Sequence, residues 1–180
     1  MTPRRIGLMA WGLAGTLGAA TAAAGTAGYR INTTPSVPVG VWRIGPAGDL
    51  RRGAVVAICP PDSGTFRLAR SRGYVPRGGC PGGYRPLFKP VAALAGDSVT
   101  VTATGLAVNG APIADSRALS RDGAGRSMSA VAAGRYPVAA GTLWLVSPGH
   151  SSSFDSRYFG ALPTARLQGI ARPVWVWGAP

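Results

Sequence analysis

The chain has 180 residues, room for one domain and a short appendage. Its 27 glycines and 16 prolines exclude long helices from most of it, and 46% hydrophobic residues exclude a disordered chain. Lys and Arg number 19 against 6 acidic residues, all of them Asp, for a formal charge of +13, and Lys89 is the single lysine. Part of this balance is the coding bias of a GC-rich genome. The arginines are scattered and no nucleic-acid motif accompanies them, so no nucleic acid partner is expected; an anionic membrane surface is the partner the charge fits.

Arg4 and Arg5 precede an uncharged segment, residues 6–29, which is long enough to span a bilayer at roughly 20 residues per crossing. The basic flank keeps residues 1–5 in the cytoplasm and exports residues 30–180. The segment is mostly Ala, Gly and Thr, and Ala20-Thr21-Ala22-Ala23-Ala24 offers small-x-small cleavage sites. Two readings are therefore open, a retained transmembrane anchor, which we favour, and a removed signal peptide. Both place the remainder in the periplasm, where Cys59 and Cys80 would be oxidised to a disulfide; in the cytosol they would be buried thiols. One histidine and no CxxC spacing leave no zinc site, and no metal or organic cofactor is expected.

Beyond Asn32 the pattern is short strands broken by Gly and Pro. Val37–Ile44 is a strand interrupted by Pro38 and Gly40, and Ala54–Ile58 is a compact strand ended by Cys59-Pro60-Pro61. Gly64–Tyr84 reads as an Arg/Gly-rich surface excursion, and Tyr84–Leu94 is apolar around Lys89. Gly96-Asp97 is a turn, Ser98–Ala103 alternates as a half-buried strand, and Asn109-Gly110 closes a hairpin after Leu106–Val108. Pro112–Gly134 is a long loop or a β-excursion, Gly141–Ser147 a buried strand, and Leu167–Trp177 a last strand with Pro173 at an edge or bulge. No βαβ alternation occurs. The expected fold is mainly β, an antiparallel barrel-like domain on one N-terminal transmembrane helix.

A Ser-His-Asp triad would need His150, which stands in the loop Ser147-Pro148-Gly149-His150-Ser151 without a nucleophile-elbow pattern. A serine can instead be activated by a neutral lysine, provided that burial lowers the lysine pKa from its ordinary value near 10.4. Lys89, in Leu87-Phe88-Lys89-Pro90-Val91, meets that demand or else snorkels to solvent from a strand edge. Ser36 is the candidate nucleophile, seven residues past the uncharged segment and stiffened by Pro35 and Pro38.

Asn32-Thr33-Thr34-Pro35-Ser36-Val37-Pro38-Val39-Gly40 resembles the nucleophile box of conjugative-transfer signal peptidases, the TraF-like branch of the type I signal peptidase clan. Cys59-Pro60-Pro61 with Gly79-Cys80-Pro81-Gly82-Gly83 resembles the branch's cysteine pair, and Pro86–Ala93 followed by Gly96-Asp97 its lysine box. Ser153-Phe154-Asp155-Ser156-Arg157-Tyr158-Phe159-Gly160 resembles the Asp-Ser-Arg-x-x-Gly box of the clan. The resemblance implies a signal-peptidase fold, Ser36 as nucleophile, Lys89 as base and Asp155 as third site residue. Ser156 and Arg157 would support the site, and the Ser36 N–H with the Thr34 hydroxyl would form the oxyanion hole. It implies an inner-membrane peptidase that processes a membrane-embedded pilin precursor, with water or the pilin's own amino terminus releasing the acyl-enzyme, the latter giving a cyclic product. Two alternatives are a general leader peptidase removing signal peptides, against which Val37 and the small size argue, and a catalytically silent secretion-channel subunit. A cytoplasmic Ser/Lys autoprotease of the repressor type is argued against by the uncharged segment and the cysteines.

Overall fold

The computed structural model describes residues 3–48 and 50–177 and opens on a helix, α1 (Pro3–Thr26). It covers most of the segment expected to span a bilayer. That expectation is corrected in one respect: among the described residues no helix is long and apolar enough to cross a membrane. The reason lies in the composition, since Ala, Gly and Thr contribute little apolar surface, and Thr21 and Thr26 donate back to carbonyls of the preceding turn. The helix also stops short of Tyr29. Gly28, at φ 87°, turns the chain away so tightly that a Cβ there would lie 2.5 Å from the carbonyl oxygen of Ile44. Met1 and Thr2 of the expected cytoplasmic end, and Gly178 to Pro180 at the end of the expected peptidase domain, lie outside the described residues.

The strands are β1 (Tyr29–Asn32), β2 (Gly40–Gly45), β3 (Val55–Ile58), β4 (Arg77–Cys80), β5 (Leu87–Leu94), β6 (Ser98–Val101), β7 (Leu106–Val108), β8 (Ala111–Pro112), β9 (Gly134–Pro137), β10 (Thr142–Leu145), β11 (Leu162–Pro163) and β12 (Leu167–Val176). Two short helices, α2 (Gly64–Ser71) and α3 (Ser156–Phe159), lie between them. A seven-stranded sheet runs β1-β2-β12-β3-β5-β10-β11, and a four-stranded sheet runs β8-β7-β6-β9. All strand pairs are antiparallel, as expected. The large sheet ends on β1 and β11, which do not pair with one another, so hydrogen bonds do not close it into a barrel. Pro173 lies at a register shift against β2, the bulge its missing N–H demands.

Strand β5 is central, and its burial alternates along the whole strand. Leu87 and Val91 join the main core with Val56, Ile58, Leu143 and Leu145, while Phe88 points the other way and packs edge-on against Trp42. The small sheet packs Val99, Leu106 and Val108 on Trp144 and Val146. Asn109 and Gly110 take φ 51° and 84°, the pair of positive values a type I′ hairpin turn requires. Asp97 fastens the end of β5 to this hairpin, accepting from the Leu94 N–H, Asn109 Nδ2 and Arg52.

The Gly64–Tyr84 excursion is more ordered than its composition predicts. Ser63 caps α2 by accepting from the Phe66 N–H, and Phe66 and Ala69, three apart, bury one face. Cys59 at the end of β3 and Cys80 at the end of β4 form a disulfide across a sequence separation of 21, closing the excursion at its base.

Candidate active site

Ser36 lies in the loop between β1 and β2, which wraps around the side chain of Asn32. Asn32 Nδ2 donates to the carbonyls of Thr34, Val37 and Pro38 at 2.8, 3.0 and 3.1 Å, and Oδ1 accepts from the N–H and hydroxyl of Thr34. A loop of two prolines has few backbone donors of its own, and one buried amide supplies what it lacks. Trp42 Nε1 donates to the Pro38 carbonyl at 2.9 Å, and Val37 is buried against Trp42 and Ala171, so the residues after Ser36 are pinned to the sheet. Gly40 ends the loop where the chain passes β12; a Cβ there would lie 2.2 Å from the Trp175 carbonyl oxygen. Ser36 itself is half-buried.

Lys89 occupies an inward position of β5, between Leu87 and Val91, and is only 6% exposed. The strand's period of two therefore places a lysine where neighbouring positions carry core residues. Burial disfavours its charged form and lowers the pKa from 10.5 to about 8; the carboxylate of Asp155 works against that shift and Arg157 adds to it. Its Nζ donates to Ser153 Oγ at 2.7 Å. The snorkelling alternative is thereby set aside.

Asp155 and Arg157 are 0% and 1% exposed and form an ion pair through Nε at 2.8 Å, with Nη2 on the second carboxylate oxygen. Asp155 also accepts from the backbone N–H of Ser147 and, as N-cap of α3, of Arg157. The remaining guanidinium protons reach the carbonyls of Arg117, His150, Ser151 and Ser153. One arginine thus gathers the loop that carries the acceptor of Lys89. Ser156 sits behind it, its hydroxyl accepting from the Leu145 N–H.

Ser36 and Lys89 line the same cleft of about 610 Å³, with Asn32, Thr34, Ser153 and Phe154 also on its walls. Along one wall β5 has an open edge: Leu87–Pro90 pair with β3, but β10 takes up the other side only from Val91. His150 borders the cleft, yet its buried Nε2 has no hydrogen-bond partner among the described residues, so the serine–histidine contact of a triad is absent. Among the described residues no three His, Cys, Asp or Glu side chains converge on a metal-sized site. Asn32 and Ser153 stand inside the serine and Asp-Ser-Arg boxes, which imply no role for either. Both belong to the site's support, and the signal for Ser153, a hydroxyl two residues before Asp155, is legible only once the lysine is placed.

The sequence profile described as "Signal peptidase, peptidase S26" matches residues 5–177. A probable conjugal transfer protein TraF of Sinorhizobium fredii is 46% identical over 82% of this chain and 77% of its own length. The conjugal transfer protein TraF of Agrobacterium fabrum is 42% identical over 83% of this chain and 84% of its own, and a plasmid transfer protein TraF of Escherichia coli 37% identical over 86% and 87%. A signal peptidase I structure from Enterococcus faecalis aligns at a TM-score of 0.40 and 19% identity over 69% of this chain and 97% of that one, a likeness too slight to carry argument. The chain belongs to the signal peptidase family, peptidase S26, in its TraF-like conjugative-transfer branch.

Proposed function

We propose that this protein is a serine endopeptidase with a Ser36/Lys89 dyad that processes a pilin precursor for conjugative transfer at the outer face of the cytoplasmic membrane. The observation that carries the reading is a lone lysine, desolvated to a pKa of about 8, on the wall of the cleft that Ser36 lines. At neutral pH roughly one lysine in ten is then uncharged, against fewer than one in a thousand for a solvated one. Ser36 Oγ adds to the scissile carbonyl as its proton passes to the Lys89 amine. The oxyanion is met by the Ser36 N–H and by Thr34, whose hydroxyl leaves its present acceptor, Asn32 Oδ1 at 2.9 Å. The ammonium of Lys89 returns the proton to the leaving amine and an acyl ester remains on Ser36. Lys89 next deprotonates a water, or the amino group of the pilin itself, and the ester breaks to regenerate the serine. Asp155 and Arg157 act through the Ser153 loop, holding the acceptor that aims the lysine amine.

A membrane location is supported by features beside the site. Strand β12 ends in Val174, Trp175 and Val176 and is followed by Trp177, all exposed large apolar residues of a kind that sits at bilayer interfaces. The disulfide fits an oxidising compartment. The branch assignment favours a pilin substrate over a general secretory one.

The test is precursor processing in membranes, read by mass spectrometry for the wild type, Ser36→Ala and Lys89→Arg. Arginine keeps the charge but cannot accept the proton. Both variants are expected to lose activity by on the order of 10⁴-fold or more while accumulating normally. Normal processing by Lys89→Arg would remove the dyad from consideration.

A further inference from the structure

The cleft is lined by four cationic residues, Arg30, Arg77, Arg85 and Lys89, and one acidic residue, Asp122. Asp122 is already matched: Tyr74 and Arg126 Nε donate to one of its oxygens and the N–H groups of Ala124 and Arg126 to the other. Asp62, Asp97 and Asp155 are likewise paired to Arg67, Arg52 and Arg157. Arg77 and Arg85 are exposed and enter no ion pair among the described residues. Arg30 spends donors on the carbonyls of Gly25 and Tyr29. The groove beside the proposed nucleophile is therefore electropositive, and the backbones of Arg77 and Arg85 are brought together, since Arg77 bridges Tyr84 and the Arg85 N–H donates to the Pro76 carbonyl.

Their position relative to Lys89 gives the charge a meaning. Arg85 precedes Lys89 by four residues on the chain that becomes β5. At about 3.3 Å per residue the four steps between them reach at most roughly 13 Å. The open edge of β5 over Leu87–Lys89 is where an extended peptide adds as a further strand. A peptide laid there with its scissile bond at Lys89 carries its residue about four positions away past Arg85.

We infer that Arg77 and Arg85 select substrates carrying an Asp or Glu side chain about four residues from the scissile bond. The inference rests on the peptidase reading and deepens it, naming a substrate feature. Charge complementarity at a half-open groove contributes to selection and association rate more than to rigid affinity, and it is screened by salt.

The test uses the full chain in nonionic detergent micelles and a mixture of acetylated, amidated peptides randomised over ten positions, with cut products sequenced by mass spectrometry. The wild type is expected to enrich Asp and Glu about 5- to 10-fold at that distance on one side of the cut at low salt, falling toward parity in 1 M salt. In the Arg77→Gln/Arg85→Gln double variant the acidic-to-neutral ratio collapses toward one. In Arg77→Glu/Arg85→Glu the preference turns to Lys and Arg. Cutting by the wild type without acidic enrichment overturns the inference and leaves the peptidase standing; no cutting of any peptide overturns both. Enrichment that persists in Arg77→Gln/Arg85→Gln assigns selection to other residues. Absence of enrichment combined with inhibition by phosphatidylglycerol vesicles assigns the two arginines to lipid headgroups instead.

Discussion

The two sides of the cleft are built by different means. The side-chain hydrogen bonds that shape the Ser36 loop come from within a few residues of it, with Asn32 reaching no farther than Pro38 and Trp42 reaching back four positions, while Val37 and Gly40 anchor its far end on β12. Lys89 is held across the chain: its acceptor Ser153 lies 64 residues away, and Arg157, which fixes that acceptor's loop, also reaches Arg117 40 residues back. The nucleophile side is a stiff local loop near solvent, and the base side is a buried network that exists only when distant segments have assembled. A group that must lose its charge needs the interior, and the interior is a tertiary product. A nucleophile that must meet substrate needs exposure, which a short proline-bounded turn can give.

The contrast predicts unequal damage. The largest stability loss is expected for Arg157→Met, which leaves the Asp155 carboxylate buried without its partner and orphans several carbonyls. Removing one member of such a pair costs about 3–5 kcal/mol. Urea unfolding monitored by tryptophan fluorescence checks it; a loss below about 1 kcal/mol would make the base side as loosely built as the other. Asn32→Ala comes next, at roughly 1–3 kcal/mol, because the loop it fills is partly wet and water can replace some bonds. Its larger effect is kinetic. With the loop freed, kcat is expected to fall by about 100-fold with KM little changed, since displacing a reacting group by about 1 Å costs that much. A rise in KM with unchanged kcat would show that Asn32 shapes the groove rather than the serine.

The same contrast decides what could be read in advance. The serine box and the hairpin at Asn109-Gly110 are local patterns and are legible in the sequence, whereas the inward alternation of β5 is not, because Leu87-Phe88-Lys89-Pro90-Val91 is apolar on both faces. Burial of Lys89 is half legible: its neighbours are apolar, but a snorkelling and a buried lysine share that pattern until β3 pairs beside it and the Ser153 loop meets its amine. Helix α2 was hidden because Arg and Gly dominate the excursion, although Ser63 followed at a distance of three by Phe66 and then Ala69 is a short amphipathic signature. The short α3 is defined mainly by the Asp155 cap and has no periodicity to find. The uncharged N-terminal run has the length of a spanning segment, but its Ala, Gly and Thr content leaves α1, among the described residues, less apolar than a crossing helix.

The smallest structural change with a distinct signature is Ser153→Ala. It removes one hydroxyl, at a stability cost of about 1 kcal/mol, and leaves the Lys89 amine without its acceptor. If Lys89 is the base proposed above, kcat/KM of the wild type is expected to rise with pH through about 8, roughly tenfold per unit below that value, and to level above it. The stability sign follows from the same shift. Between about 8 and 10.5 the unfolded chain binds the lysine proton and the folded chain does not, so this group makes folding more favourable as pH climbs through that window. The Ser153 hydroxyl accepts from the ammonium and so favours the charged form; without it the rising limb of kcat/KM moves to lower pH. The plateau nevertheless falls, by about tenfold, because a correctly neutral but unaimed amine takes the serine proton less often. A pH profile of Ser153→Ala with a lowered plateau and an unmoved limb would reduce Ser153 to packing. A limb displaced toward acid with a lowered plateau identifies it as the residue that aims the base, and ties the far end of the network to the chemistry at Ser36.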